Sequence, residues 1–347
     1  MLFTAYKQKV NRVINSGRTS IFLVGVQKCG TSTMFSVLCK HKNIKPSRVK
    51  EPQFLALPRS VINENIQWYN SLFDKTREAM LLDGSTFYFQ SERAWQNIYR
   101  YFEDPRIIIM IRDPVKRAYS SYSHMVKQVP ACERRSFTTI VSTLTNRIAN
   151  DTPLSDVENQ MVKKAVDRGT INEEYIDGDY LRDKYDVSFN SNFVDTLWPY
   201  RYFTISQYHD KVEGIKKLFG PSRVKVVVFE RLVQQPSHDT REVFNFLELS
   251  TPNRLDLPHK NPTNIPTGKL ARALMWIRRN NSIGKKIWKH VKSKAGPLAK
   301  FAWRAVRKRK PSLPKSTYNR ARSIISHEYK YWMQKYDYID KVWSKVN

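Results

Sequence analysis

Two stretches of this chain hold residue types whose spacing suits anion chemistry. The apolar run SIFLVGV leads into Gly25-Val26-Gln27-Lys28-Cys29-Gly30-Thr31-Ser32-Thr33, and then into a helical pattern carrying Met34, Phe35, Val37 and Leu38. A strand, a turn and a helix N-terminus make an anion cradle, because unpaired backbone N–H groups and the positive helix end converge there. Set on the pattern GxxxxGK[ST], the loop matches at Gly25, Gly30 and Ser32 but has Thr31 where the lysine belongs. Without that lysine the β,γ-phosphates of ATP lose their point charge, while Lys28 supplies a cation at a different depth. A plain glycine turn between strand and helix is the alternative this loop leaves open on its own. The second stretch follows the apolar run RIIIMI: Arg112 stands at its end and Ser120 eight residues later, on a helix that Asp113-Pro114 helps to start. A forked guanidinium and a hydroxyl suit a second, separate phosphate; an arginine paired with a nearby acid is the alternative. Two anion sites at the ends of two strands reinforce each other.

The elements that must position these residues are legible as well. SIFLVGV, EAMLLDG, RIIIMI and RVKVVVFE read as short strands buried on both faces, the pattern of a parallel sheet. Helical stretches at Thr31 to His41, Pro114 to Val126, Tyr208 to Phe219 and His238 to Leu247 alternate with them, which implies βαβ units. The expected fold is α/β, of the phosphate-loop type, with a central parallel sheet flanked by helices in three layers. Parallel strands of such sheets end at the ligand site. Residues 128–205 break the rhythm and read as an insertion, either a lid facing the acceptor or a structural addition. Trp68, Tyr69 and Phe73 recur at helical spacing, as do Tyr119 and Tyr122 around Ser120, and read as core. His124 reads as an ordinary helix side chain.

Charge marks a boundary. The chain of 347 residues has 60 Lys plus Arg against 31 Asp plus Glu, a formal charge of +29, which predicts partners of opposite sign. With 41% hydrophobic and 12% aromatic residues it can build a core, so a disordered or histone-like arm is excluded. The span 269–347 holds +19 of that charge, and Lys269 to Lys310 has fifteen basic residues and no acid. The division is therefore 1–268 as the α/β domain and 269–347 as a basic helical extension whose last helix packs back on it. Apolar residues recur at near-helical spacing in this extension with Trp276, Trp288 and Trp303 among them, which suits an anionic membrane surface or a polyanion; a solvated basic face is the equal alternative. No recognition motif for nucleic acid is visible, so none is expected as a specific partner. The N-terminus resembles a short amphipathic helix rather than a secretory leader, and no apolar run approaches the roughly 20 residues of a membrane span. A cytoplasmic protein is expected, peripheral at the inner membrane face if the extension binds there. Cys29, Cys39 and Cys132 have no metal-ligand or disulfide spacing, and no metal is expected.

The loop VGVQKCGTST followed by IRDPVKRAYSSYSH resembles the paired signature of sulfotransferases that use 3'-phosphoadenosine 5'-phosphosulfate. KEPQFL at Lys50 to Leu55 and LLDGSTFYF at Leu81 to Phe89 are similar to segments of the heparan-sulfate branch. Residues 202–236 and EYKYWMQKYDYIDKVW resemble the family's late helix and strand and its C-terminal helix. The resemblance covers roughly Ser20 to Asn264 and the last twenty residues.

It implies the α/β fold above and transfer of a sulfuryl group to a hydroxyl or amine, on a carbohydrate or glycan first, with a lipid or small secondary-metabolite alcohol as the alternative. A P-loop kinase of small molecules and a nucleic-acid-binding protein are the remoter readings. Under it, Gly30, Thr31, Ser32 and Thr33 hold the 5'-phosphate and Lys28 neutralises charge on the leaving oxygen. Arg112 and Ser120 read the 3'-phosphate, and Lys269, with Thr267 and Gly268, matches a late basic loop that closes on it. Glu51 falls where the branch places its general base, beside Lys50, giving Glu51, Lys28 and Lys50 as the catalytic candidates. A surface ion pair between Glu51 and Lys50 or Lys45 is the competing reading of that carboxylate.

Overall fold

The computed structural model describes residues 19–73, 79–126, 133–148, 153–171, 200–252 and 312–343, and the backbone of two short strands at 264–266 and 307–309. Five strands form one parallel sheet: β1 (Ser20–Gly25), β2 (Ile44–Pro46), β3 (Met80–Asp83), β4 (Pro105–Ile111) and β5 (Val224–Val228), in the order β2-β3-β1-β4-β5. All six residues of β1 are buried, and Ile107 to Ile111 of β4 are at most 1% exposed. Each such aliphatic side chain contributes about 1.5–3 kcal/mol on leaving water, so these two strands are fixed at the centre.

Parallel neighbours need crossovers, and helices supply them. Helix α1 (Thr31–Leu38) joins β1 to β2, α2 (Arg59–Ser71) joins β2 to β3, and α3 (Glu92–Tyr101) joins β3 to β4. Between β4 and β5 lie α4 (Pro114–Val126), α5 (Phe137–Arg147), α6 (Leu154–Asp167) and α7 (His209–Phe219). Helices α8 (Phe229–Gln234) and α9 (Pro236–Phe246) follow β5, and α10 (Lys315–Ile324), α11 (Ser326–Lys335) and α12 (Ile339–Trp343) end the described chain. The expected three-layer α/β sandwich is what forms. Strand order runs outward from β1 in both directions, through β3 to β2 and through β4 to β5, so the chain reverses course beside β1. That switch point is where an open α/β sheet leaves a crevice at its carboxyl ends.

Several expectations shift in detail. Helix α1 stops at Leu38, three residues short of the expected end at His41. Within the segment 128–205, α5 and α6 bury Ile140, Val141, Leu144, Val157, Met161 and Val162 in the common core, and buried Glu158 accepts the amides of Phe203 and Thr204 at 2.9 and 2.8 Å. Inside the extension expected to be helical, Arg307–Arg309 form a strand, β7, antiparallel to β6 (Asn264–Pro266). Tyr69, Phe73 and Tyr119 are buried as core residues, and half-buried Trp68 packs 5.6 Å from the Phe54 ring. Among the described residues no helix is long and apolar enough to cross a membrane.

Candidate active site

The phosphate loop is built by close packing around its glycines. Gly30 precedes α1 with φ +86°, and a Cβ there would lie 2.3 Å from the Phe229 ring. Gly25 presses on β3's following turn, where a Cβ would sit 2.8 Å from the Thr86 carbonyl. Both positions exclude any side chain, so the backbone of the loop can turn inward. Helix α1 has no side-chain cap and no acid in its first turn; the Thr33 amide bonds the Gly30 carbonyl at 2.9 Å, which leaves the amides of Thr31 and Ser32 and the positive helix end facing outward from the loop. Thr31 is buried, Ser32 half-buried, and Lys28, also half-buried, takes the left-handed conformation with φ +72°.

From this loop a hydrogen-bonded chain runs to the carboxylate singled out by the sequence. Lys50 Nζ donates to Ser32 Oγ at 3.0 Å and to Glu51 Oε1 at 2.8 Å. Thr86 Oγ1 donates to Glu51 Oε2 at 3.0 Å. Both oxygens of Glu51 are thereby fixed, and its side chain remains about a quarter exposed. The turn carrying Thr86 is itself held from inside. Asp83, at the end of β3, accepts from Tyr69 OH at 2.8 Å, Tyr88 OH at 3.0 Å and the Ser85 amide at 2.9 Å. Burial pushes its carboxyl up to about 6, against these hydrogen bonds, which favour the charged form. Ser85 Oγ in turn accepts the Gln53 amide at 2.8 Å.

The second candidate position abuts the first. Arg112, just beyond β4, donates from Nη1 to the Lys28 carbonyl at 3.2 Å and lies over the Phe229 ring at 5.0 Å. Its Nε is buried without a hydrogen-bond acceptor and stands 3.6 Å from Glu230 Oε1. The acid pairing considered from the sequence is therefore present, but long. Burial raises the Glu230 carboxyl, with Arg112 opposing. Ser120 is buried on α4. Lys269, Thr267 and Gly268 lie outside the described residues.

Sequence reasoning gave no role to Thr86, within LLDGSTFYF, or to Phe229 and Glu230, which it read as the end of the strand RVKVVVFE and which open α8 instead. It passed over Arg117 too, fully buried on α4. That guanidinium donates from Nε to Ser206 Oγ at 2.7 Å and from Nη2 to the Tyr202 carbonyl. Cys29 lies near it beneath the loop, 4.0 Å from Tyr208 OH, and burial pushes its thiol up to about 12 despite the nearby arginines.

A parallel sheet with an uncapped strand–loop–helix turn at its switch point, and an arginine from the neighbouring strand end beside it, is the arrangement of a phosphate-loop fold. The chain belongs to the sulfotransferase domain family, whose model matches residues 18–263. It is 28% identical over 109 residues to human heparan sulfate glucosamine 3-O-sulfotransferase 6, covering 31% of each chain. It is 30% identical over 129 residues to human bifunctional heparan sulfate N-deacetylase/N-sulfotransferase 3, covering 35% of this chain and 14% of that one. The matched stretch thus spans about a third or less of these curated relatives. A sulfotransferase from Alicyclobacillus acidocaldarius superimposes over 77% of this chain and 99% of its own, with a TM-score of 0.46 and 22% identity.

Proposed function

We propose that the protein moves a sulfuryl group from 3'-phosphoadenosine 5'-phosphosulfate to a hydroxyl or amine of a glucosamine-containing glycan. The observation that carries this reading is Lys50, whose ammonium joins Ser32 of the phosphate loop to Glu51. It sets a carboxylate and a cation side by side at the rim of an anion cradle. Glu51 takes the acceptor's proton as the acceptor atom bonds to sulfur. Lys28 and Lys50 face the negative charge that grows as the bond from sulfur to the bridging oxygen breaks, releasing 3',5'-diphosphoadenosine. Gly30, Thr31, Ser32 and Thr33 hold the 5'-phosphate. Arg112 and Ser120 hold the 3'-phosphate, and the acceptor-free Nε of Arg112 fits that role. The resemblance assigns Lys269 to the same phosphate. The two human relatives named above are heparan sulfate sulfotransferases, which supports a glycan acceptor. Little beyond positioning and electrostatics is needed for such a transfer.

The test is calorimetric titration with 3',5'-diphosphoadenosine in wild type, Lys28→Ala and Arg112→Ala, without metal. Binding in the wild type that falls at least tenfold in each variant supports the reading. ATP with Mg²⁺ displacing the ligand at equal concentration would favour a kinase and defeat it. The basic span 269–310 serves to hold the chain near anionic polymers or membranes. Replacing Lys285, Lys286, Lys289 and Lys292 with Gln should weaken heparin retention, and unchanged retention would remove this role.

A further inference from the structure

Away from the phosphate loop, where the last helices meet the body, three metal-ligating side chains converge. His209 opens α7, and His327 and Glu328 open α11. His209 Nδ1 is 2.5 Å from Glu328 Oε1, His327 Nε2 is 3.9 Å from the same oxygen, and the three ligand atoms lie within 4.8 Å of one another. We propose that His209, His327 and Glu328 form a binding site for a divalent transition metal of the zinc type, which ties the C-terminal helices to the body. None of its three residues is among those proposed to touch the donor or the acceptor.

The dimensions fit. Bonds of about 2.0–2.1 Å in a tetrahedral site set ligand atoms roughly 3.3–3.4 Å apart, between the two separations seen. The imidazole rings stand 5.7 Å apart and 73° to each other, so both can direct a nitrogen to one point. Two imidazoles and a carboxylate suit zinc, cobalt or nickel, whereas Mg²⁺ and Ca²⁺ take oxygen ligands.

The surroundings are those that hold metal ligands in place. Metallation at Nδ1 leaves the His209 proton on Nε2, and Asp210 Oδ1 is 3.0 Å away to accept it. Glu328 Oε2 accepts Trp332 Nε1 at 2.9 Å, leaving Oε1 to face the histidines. This arrangement is the outer carboxylate and hydrogen-bond support that orients ligands. The Gln207 amide sits 3.0 Å from His327 Nε2; turned over, it offers its oxygen as a fourth ligand. A simpler reading has Glu328 capping α7, since it accepts the His209 amide at 3.4 Å. In that reading Gln207 alone holds the half-exposed His327, and its approach to Glu328 Oε1 at 3.9 Å has no role. The positive ends of two helices oppose a cation, each by about two- to fivefold in affinity at an exposed position and by more where partly buried.

The experiment uses the full chain stripped with chelator, then dialysed against Zn²⁺, Co²⁺ or Mg²⁺. Wild type should hold one more equivalent of Zn²⁺ than His327→Ala or His209→Gln. Its Co²⁺ form should show visible absorption that both variants lose. Zinc at a hundredfold over its dissociation constant should raise the melting temperature by about 4 °C in wild type only. Equal zinc content in wild type and His327→Ala, no zinc in the wild type, or preference for Mg²⁺ overturns the proposal. His327 is about half exposed, so its removal leaves the fold intact and decides the matter even if His209→Gln misfolds.

Discussion

Glu51→Gln separates a catalytic base from a surface ion pair. Glutamine keeps the size of the side chain and an oxygen for Thr86 Oγ1, now 3.0 Å from Oε2, but loses the charge that faces Lys50 at 2.8 Å and the capacity to take a proton. The lysine and glutamate side chains are 40% and 27% exposed, so solvent screening leaves the pair below about 1 kcal/mol of stability. The melting temperature should therefore move by about 2 °C or less. Lys50 keeps its bond to Ser32 Oγ, so affinity for 3',5'-diphosphoadenosine should stay within about fivefold, the equivalent of that same 1 kcal/mol. Transfer should fall by about 10²- to 10⁴-fold, roughly 3–5 kcal/mol on the barrier. Initial rates with the sulfuryl donor and a glucosamine polysaccharide, run beside calorimetry on the same preparations, give both quantities. A transfer rate within tenfold of wild type, with binding unchanged, would reduce Glu51 to a plain partner of Lys50 and refute the assignment.

Gly30→Ala places a methyl 2.3 Å from the Phe229 ring at φ +86°, so it should lose about 1–3 kcal/mol of stability along with nucleotide binding. Adding Phe229→Ala should restore part of the stability and none of the backbone freedom, and full recovery in urea unfolding would show that the conformation is unstrained. The Cys29 thiol, pushed up to about 12 by burial, carries roughly one thiolate per ten thousand at pH 8. Native wild type and Cys29→Ser should thus show the same number of fast-reacting thiols with Ellman's reagent, and an extra fast thiol in wild type would contradict this burial. Asp83 is raised from its ordinary 3.8 to about 6, so between those values the folded chain holds a proton that the unfolded chain releases. Its contribution is full below about pH 4 and lost as pH rises through 6, by at most about 3 kcal/mol. Urea unfolding should therefore favour wild type over Asp83→Asn more at pH 4.5 than at pH 7.5, and an equal difference at both would argue that Asp83 is not buried as described.

The strands were legible because continuous aliphatic runs leave few options other than a sheet covered on both faces, and the loop because glycine spacing before a helix has few purposes. The partners that hold the site were not. Thr86 reaches Glu51 across 35 positions of sequence, and Glu230 reaches the Asp113 amide across 117. Contacts of that kind depend on which strands become neighbours, and local spacing carries no trace of them. Arg117 lay within the stretch already singled out, but a basic residue on a helix reads as solvated until its burial is known. The short strand β7 hid for a different reason: three basic residues in a row have no alternation to mark a strand.

The acids beside Arg112 are held by helices late in the chain. Asp113, next to Arg112, accepts Tyr318 OH at 2.7 Å and Tyr329 OH at 3.0 Å, and Glu230 accepts Trp343 Nε1 at 3.1 Å. Glu230 also takes the Asp113 amide and faces Arg112 Nε. Two buried carboxylates whose protonation is favoured by burial would be costly without these donors. The donors come from α10, α11 and α12, all beyond residue 263, where the family match ends. The final helices are thus part of the wall that orients Arg112. A truncation after the matched segment would strip three hydrogen bonds from the acids beside it, so loss of nucleotide binding in such a truncation would reflect the positioning of Arg112 as much as the fold.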